Sequence, residues 1–259
     1  MKQYRSKEIY ADFYENEGKP LAVIMSGSRP GLPANISDDL SNYLKQNFNL
    51  LLLAYYGVGE LTKSLELVPM EYFTNSINFI KDKYNIPDNK VIIIGQSKGG
   101  EAALVLTNYM KSAITIACVP SSYVFQGLPE DLFSILKAQP KASWSFNNKE
   151  LPYIKFNIDD EAMNNAKNNN FCRCYETSIE KNFNPDAIIN IDSYKGKVLL
   201  ISSENDSYWP SKNMCNTLVE NSKNSNNINH VSLNLEGHSF LKYDESVREI
   251  INYLKANVE

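Results

Sequence analysis

Five short runs of apolar residues are spaced along the chain, and a longer stretch with an amphipathic pattern separates each run from the next. They occupy residues 21–25, 50–54, 91–94, 114–118 and 198–201, and residues 231–235 are a sixth candidate. Strands that are buried on both faces have such continuous apolar sequences, and they occur in parallel sheets whose connections are helices. The pattern therefore predicts an α/β fold with a mostly parallel, twisted sheet flanked by helices.

Length and charge narrow the class of protein. The 259 residues, 43% of them hydrophobic, can build one sizeable core, so we expect a single domain over residues 1–259. The formal net charge of −4 provides no basic surface for a phosphate backbone, which argues against a nucleic-acid partner. The chain starts without an apolar signal region, and no stretch reaches the roughly 18 apolar residues of a membrane span, so we expect a cytoplasmic protein.

The cysteines and histidines do not form a metal-binding pattern. Four cysteines lack paired C-x-x-C spacing, and the only two histidines lie near the far end of the chain. Zinc sites need several such ligands at close spacing, so we expect reduced thiols and no bound metal. Cys118 ends an apolar run and is expected in the core rather than as a nucleophile.

Residues 120–192 separate two predicted strands and are rich in asparagine, lysine and aromatic residues. A connection of this length inside a compact domain is usually functional or disordered. The segment carries too many large apolar side chains for a solvated linker: Tyr123, Phe125, Trp144, Phe146, Tyr153 and Phe156. We predict a cap-like insertion, partly helical, that covers one end of the sheet after the strand ending near Cys118.

A G-x-S-x-G motif, with Ser97 at its centre, directly follows the apolar run 91–94 and precedes a helix-favouring Glu-Ala-Ala-Leu sequence. This is the strand-turn-helix context of a nucleophile elbow, in which side chains at Gly95 and Gly99 would collide with the neighbouring elements. The backbone N–H of Lys98 then faces the position where an oxyanion develops. The alternative interpretation of the motif is a tight turn without catalysis. The Lys98 side chain itself is expected to be solvated.

A serine nucleophile needs a base, and the chain offers His230 and His238. His230 lies at the start of the strand predicted over residues 231–235, at the opposite edge of a parallel sheet from Ser97. His238 follows the end of that strand and lies on the correct edge. We therefore predict His238 as the general base, with an ordinary loop histidine as the alternative.

The third member of such a triad is a carboxylate just past a neighbouring strand on the same edge. Asp206 follows the run 198–201 and gives the chain order Ser, Asp, His that is typical of α/β-hydrolases. Glu204, two residues nearer the strand, is the main competitor, whereas Asp159 and Asp192 fall in or beside the insertion. Asp206 is the preferred acid.

The second oxyanion donor is expected from the loop after the run 21–25, which reads Ser-Gly-Ser-Arg-Pro-Gly. Pro30 has no N–H, so the donor is the backbone of Ser28 or Arg29. A Gly/Pro turn without a ligand is the alternative for either residue.

With these residues placed, the chain resembles the catalytic domain shared by acyl-CoA thioesterases and bile acid-CoA:amino acid N-acyltransferases, within the α/β-hydrolase superfamily. The matching stretches are residues 31–32, 54–56, 70–73, 94–101, 150–152 and 205–209. The Ser-Lys-Gly-Gly form of the elbow and the Ala-Tyr-Tyr segment are the most specific. The resemblance implies Ser97 as nucleophile, Asp206 as orienting acid and His238 as base. The acyltransferase branch is known for a cysteine nucleophile, whereas this chain has serine.

The expected function is that of a serine hydrolase that cleaves an acyl thioester, with acyl-CoA as the foremost candidate substrate. Such a mechanism needs no metal or redox cofactor, the partner is a small molecule, and the insertion's aromatic side chains would line an acyl pocket. The alternatives are a carboxylesterase or small peptidase of the same fold, an acyl-CoA-dependent N-acyltransferase, and a non-catalytic binding module.

Overall fold

The computed structural model describes residues 1–258, and it describes positions 132 and 133 by their backbone alone. The strands are β1 (Lys2–Arg5), β2 (Tyr10–Tyr14), β3 (Leu21–Met25), β4 (Asn49–Ala54), β5 (Val68–Pro69), β6 (Val91–Gln96), β7 (Ile114–Cys118), β8 (Trp144–Phe146), β9 (Lys149–Glu150), β10 (Lys197–Asn205) and β11 (Ile228–Glu236). The α-helices are α1 (Asp38–Asn47), α2 (Met70–Tyr84), α3 (Lys98–Leu106), α4 (Asp160–Lys167), α5 (Phe171–Asn182), α6 (Ser211–Asn221) and α7 (Asp244–Asn257). Short 3₁₀ helices cover Asp88–Lys90, Leu132–Leu136, Pro185–Ala187 and Ser225–Asn227.

The main sheet, as residues 1–258 form it, has eight strands in the order β1-β2-β4-β3-β6-β7-β10-β11. The pairings from β4 to β11 are parallel, and those of β1 with β2 and of β2 with β4 are antiparallel. All six predicted strands are present and adjacent within the parallel part. The predicted α/β class with a mostly parallel sheet is therefore confirmed.

Each central strand is buried on both faces, as its continuous apolar sequence predicted. In β3, Leu21, Val23 and Met25 join the core beneath α2, α3 and α6, whereas Ala22 and Ile24 join the core beneath α1 and α7. Side chains of successive strand residues point to opposite faces, so one apolar run serves both cores. The helices cover the sheet on both sides, and no helix within residues 1–258 is long and apolar enough to cross a membrane.

The N-terminal strands β1 and β2 were not predicted from the sequence. They form an antiparallel hairpin that extends the sheet beyond β4. In β2, Ala11 and Phe13 are buried, whereas Tyr10, Asp12 and Tyr14 are half-buried. Such alternation is typical of an edge region with one solvated face, and it gives a weaker signal than the continuous runs of the centre.

The insertion, residues 120–192, contains β8, β9, α4 and α5, so its predicted partial helicity is confirmed. Strand β8 pairs in parallel with β5, the short strand that directly precedes α2, and with β9 in an antiparallel manner. The insertion is thus hydrogen-bonded into a second, three-stranded sheet rather than attached by its ends alone.

Candidate active site

Ser97 occupies the sharp turn between β6 and α3, with φ 56° and ψ −121°. Such a conformation is strained for a residue with a side chain and persists only where the surroundings enforce it. The Ser97 N–H donates to the Cys118 carbonyl (2.9 Å), and the Ser97 carbonyl accepts from Glu101 N–H (2.9 Å). The turn is therefore fixed from both sides, and the serine is 7% exposed.

The two elbow glycines leave no room for a side chain, as predicted. A Cβ at Gly95 would lie 2.0 Å from the Gly99 carbonyl oxygen, and one at Gly99 would lie 2.2 Å from the Ser26 carbonyl oxygen. Strand β6, helix α3 and the loop after β3 thus approach with backbone against backbone. This close approach sets Ser97 beside that loop, because a Cβ at Gly27 would be 3.3 Å from Ser97 Oγ.

Asp206 and His238 meet at the same edge of the sheet, past the ends of β10 and β11. The His238 Nδ1 to Asp206 Oδ1 distance is 2.7 Å, and both side chains are largely buried. Asp206 Oδ1 also accepts the Tyr208 N–H at 2.9 Å. A carboxylate only accepts, so Nδ1 is the donor in this contact, and in the neutral ring this tautomer leaves Nε2 as an acceptor.

The competing residues have other partners. Glu204 pairs with Lys212 (2.7 Å), Asp159 pairs with Lys181 (2.6 Å), and Asp192 accepts the Lys223 N–H (2.7 Å). None of these three carboxylates bonds to a histidine ring in the part of the chain that the structure describes.

His230 lies within β11 and bonds to the Ser202 hydroxyl (2.8 Å). It faces Leu200 across the sheet, near the start of β11 and therefore away from the edge where the parallel strands end. Of the two histidines, only His238 shares a cavity with Ser97.

Ser97 and His238 line one cavity of about 220 Å³. Across residues 1–258 no hydrogen bond joins Ser97 Oγ to the His238 ring. Contacts of this kind are often long in enzymes without substrate and shorten in the complex. The structure therefore places Ser97 in the same cavity as His238, which is paired with Asp206, but the hydrogen bond between Ser97 Oγ and the His238 ring is not formed.

Three residues that line this cavity have backbone N–H groups without a hydrogen-bond partner among the described residues: Ser28, Arg29 and Lys98. Lys98 is the first residue of α3, where N–H groups have no intrahelical acceptor. These are the residues expected to supply the oxyanion donors, and their N–H groups have no acceptor elsewhere among the described residues.

Two tyrosines hold the loop that carries two of these amides. The Tyr55 hydroxyl donates to the Gly27 carbonyl (2.6 Å) and the Ser26 carbonyl (2.8 Å), and the Tyr56 hydroxyl donates to the Ser28 carbonyl. The loop carbonyls are thereby bound on the side of β4. In the sequence, the Ala-Tyr-Tyr segment shows only a family resemblance, and its pattern does not indicate this role.

The expected solvated position of the Lys98 side chain is wrong. Lys98 is 3% exposed, and its ammonium lies 2.7 Å from both carboxylate oxygens of the fully buried Glu101. Glu101 also accepts from Trp144 Nε1 (2.7 Å) and from the Phe125 N–H (3.3 Å), both in the insertion. Burial raises the pKa of Glu101, and Lys98 and these donors oppose that effect.

The insertion's aromatic side chains were expected to line an acyl pocket, and among the described residues Tyr175 is the one that lines the cavity of Ser97. Phe125 and Trp144 are fully buried in cores, and the other four aromatic residues singled out from the sequence do not line this cavity either. The aromatic wall consists of Tyr175 from the insertion together with Tyr208 and Trp209, and the sequence pattern did not single out these three residues. The rings of Tyr208 and Trp209 lie 5.1 and 5.3 Å from the His238 ring, between centroids.

The cysteines are all unpaired thiols. Burial raises the pKa of Cys118 to about 12, which fits its expected place in the core. Within residues 1–258 no three potential ligands among His, Cys, Asp and Glu come together as a metal site.

Residues 68–241 match the protein family described as BAAT / Acyl-CoA thioester hydrolase C terminal, and this range contains Ser97, Asp206 and His238. The mitochondrial acyl-coenzyme A thioesterase 2 of Mus musculus is 35% identical over 74 residues, which are 29% of this chain and 16% of that protein. The acyl-coenzyme A amino acid N-acyltransferase 2 of Rattus norvegicus is 24% identical over 213 residues, 81% of this chain and 46% of that protein. The chain spans less than half the length of these curated relatives.

Among solved structures, an esterase from Pyrococcus furiosus is similar to this chain with a TM-score of 0.64 and 13% identity, over 97% of this chain and 88% of that chain. At this level of identity the similarity concerns the fold alone. The chain has the α/β-hydrolase fold that the sequence predicted.

Proposed function

The chain belongs to the BAAT / acyl-CoA thioester hydrolase C-terminal family, and we propose that it is a serine hydrolase that cleaves an acyl thioester. Ser97 is the nucleophile, His238 the general base and Asp206 the acid that orients the imidazole. The observation that carries the proposal is the 2.7 Å bond from His238 Nδ1 to Asp206, in one cavity with a serine on a strained elbow.

In the first half of the reaction, His238 Nε2 takes the Ser97 proton while Oγ attacks the thioester carbonyl. The carbonyl oxygen becomes negative and binds the Lys98 amide together with that of Ser28 or Arg29. The carbon–sulfur bond then breaks, and the thiolate takes the proton from the imidazolium. An acyl ester of Ser97 remains.

In the second half, His238 takes a proton from water, and the hydroxide attacks the acyl ester. The carboxylic acid leaves, and the proton returns to Ser97. Asp206 stays ionised throughout and stabilises the imidazolium. Every proton and electron pair is handled by the protein's own side chains, the water and the substrate, so the proposed cycle needs no cofactor.

The nucleophile favours hydrolysis over transfer. An amine opens a thioester on cysteine readily, whereas an oxygen ester on serine with water held by histidine is hydrolysed. Transfer to an amine is the second candidate, since the match to an N-acyltransferase covers 81% of this chain. A carboxylesterase or small peptidase with the same triad differs from the first proposal only in the leaving group.

The test is release of free thiol from acyl-CoA by the wild type and by Ser97→Ala, with labelling by a fluorophosphonate as a second readout. We expect labelling and thiol release that both disappear in Ser97→Ala. Ser203, a buried serine on β10, gives the matched control Ser203→Ala, which keeps the labelling. Undiminished thiol release by Ser97→Ala would refute the mechanism.

Adding glycine or taurine to the same assay separates hydrolysis from transfer. Under the proposal, mass spectrometry detects the free acid and no amide. A predominant amide product would establish the second candidate instead. A preference for p-nitrophenyl esters over every acyl-CoA would identify a carboxylesterase.

A further inference from the structure

Tyr175 is half-buried, and its hydroxyl differs from those of the buried tyrosines Tyr55, Tyr56 and Tyr194. The hydroxyls of Tyr55, Tyr56 and Tyr194 each have a hydrogen-bond partner. The Tyr175 hydroxyl has none among the residues that the structure describes, although it belongs to the wall of the cavity that holds Ser97. Among the described residues this oxygen is not one of the enclosed polar atoms without a partner, so it reaches accessible space and is available to a ligand in the cavity.

The ring of Tyr175 is held rigidly. It lies edge-to-face against Phe125 (5.0 Å), Phe156 (5.5 Å) and Trp209 (5.2 Å), measured between centroids. Trp209 in turn contacts the His238 ring edge-to-face at 5.3 Å. A hydroxyl on a fixed ring loses little freedom when it binds, which makes it suitable for selecting among substrates. Burial raises the pKa of Tyr175, so at neutral pH the hydroxyl keeps its proton and can donate.

The burial of the cavity wall gives the substrate a direction. Arg29, Ala34 and Asn35 are exposed and form the open rim, whereas Trp209 is 1% exposed and lies with Tyr175 on the inner side. A leaving group as large as coenzyme A must extend through the rim into solvent. The acyl group therefore lies on the inner side, toward Tyr175.

The size and lining of the cavity limit that acyl group. Its volume of about 220 Å³ is below the roughly 300–1,000 Å³ of typical ligand pockets, and Ile36 and Leu241 are its largest aliphatic side chains. Phe125 and Trp144 of the insertion are core residues, and Tyr123, Phe146, Tyr153 and Phe156 pack against these cores. As the described residues form it, this cavity fits a short acyl group and is too small for a long alkyl chain.

We propose that Tyr175 is a specificity-determining residue whose hydroxyl donates a hydrogen bond to an oxygen on a short acyl group, so that the preferred substrates are short hydroxyacyl or oxoacyl thioesters. The inference rests on the proposed function. It adds the class of acyl group and a residue from the insertion that selects it.

The test compares butyryl, 3-hydroxybutyryl and palmitoyl groups as coenzyme A thioesters, and the first two also as p-nitrophenyl esters. The enzymes are the wild type, Tyr175→Phe and the matched control Tyr123→Phe. Tyr123 contacts Phe125 in the same aromatic cluster but does not line the cavity. Both substitutions retain the ring, and neither removes a hydrogen bond within residues 1–258, so thermal midpoints should stay unchanged.

We expect the wild type to prefer 3-hydroxybutyryl to butyryl and to turn over palmitoyl poorly. Tyr175→Phe should lower kcat/KM for 3-hydroxybutyryl about five- to tenfold, the effect of one lost neutral hydrogen bond, and leave the value for butyryl within about twofold. The loss should appear mainly in KM, because the bond exists in both the ground state and the transition state. Tyr123→Phe should change neither value.

An equal loss for both acyl groups, or no loss for either, would overturn the inference, as would a preference for palmitoyl. If turnover depends on Ser97 but the selectivity is unaffected by Tyr175→Phe, only the inference fails. If no ester is hydrolysed in a Ser97-dependent manner and no fluorophosphonate labels the protein, the proposed function fails and the inference fails with it.

Discussion

Replacing Glu101 by glutamine tests how strongly the stability of the protein depends on the buried charge of this residue in helix α3. The substitution removes the charge opposite the Lys98 ammonium, which is 3% exposed and lies 2.7 Å from both carboxylate oxygens. Breaking a buried pair by neutralising one partner costs about 3–5 kcal/mol, because the other charge stays buried without compensation. Neither side chain is solvated, so solvent screening does not reduce this figure. We expect Glu101→Gln to lower the free energy of unfolding by that amount.

A double variant separates the charge from the packing. Lys98→Met with Glu101→Gln removes both charges and keeps an amide oxygen to accept from Trp144 Nε1 and the Phe125 N–H. Because no lone charge remains, this variant should be more stable than Glu101→Gln alone by about 2 kcal/mol or more. Urea unfolding, followed by tryptophan fluorescence and circular dichroism, measures each value.

The pH dependence of the single variant follows from the same contacts. Burial lowers the pKa of Lys98, and in Glu101→Gln the carboxylate no longer opposes this effect. The folded variant then binds fewer protons than the unfolded chain as the pH approaches the usual lysine range, so its stability rises with pH. The deficit relative to the wild type should shrink as the pH rises toward the usual lysine pKa of 10.5. A double variant no more stable than the single one, or a deficit constant with pH, would refute the reasoning.

Three further predictions concern the site and its surroundings. Asp206→Asn should lower kcat by about 10⁴-fold with the protein still folded, because the amide no longer fixes the His238 tautomer. Steady-state kinetics measure the loss and circular dichroism checks the fold, and a loss below about tenfold would contradict the assignment. Gly99→Ala should yield little folded protein in a thermal unfolding assay, since its Cβ would lie 2.2 Å from the Ser26 carbonyl oxygen, and a wild-type midpoint would contradict the steric account. Cys118 should resist iodoacetamide at pH 8 until the protein unfolds, because burial raises its pKa to about 12, and peptide mapping that found rapid native alkylation would contradict it.

The parts of the fold that the sequence predicted are those with local signals. The central strands have continuous apolar runs. The elbow around Ser97 needs residues without a side chain, and the sequence itself shows glycine at these positions. His238 and Asp206 could be selected because the chain has two histidines and because parallel strands end at one edge. Each of these inferences needs only the residue and its neighbouring strand.

The features that could not be predicted from the sequence depend on contacts between residues far apart in the chain. Lys98 is buried because Trp144 and Phe125 cover its partner Glu101, and no pattern around position 98 reports a residue so distant. The same holds for Tyr175, whose place in the cavity wall follows from how α5 packs on Trp209. The hairpin β1–β2 was not predicted for another reason: β1 is mostly exposed and β2 alternates, so both resemble a solvated start of the chain.

The pairing of β8 with β5 has a consequence for anyone who wishes to exchange parts between proteins of this fold. In sequence the insertion looks like a cassette that could be cut out or grafted between β7 and β10. In space it completes a sheet with Val68 and supplies two of the donors to Glu101. A chimaera with a foreign cassette would therefore have to import matching residues at positions 68–69, 98 and 101 as well.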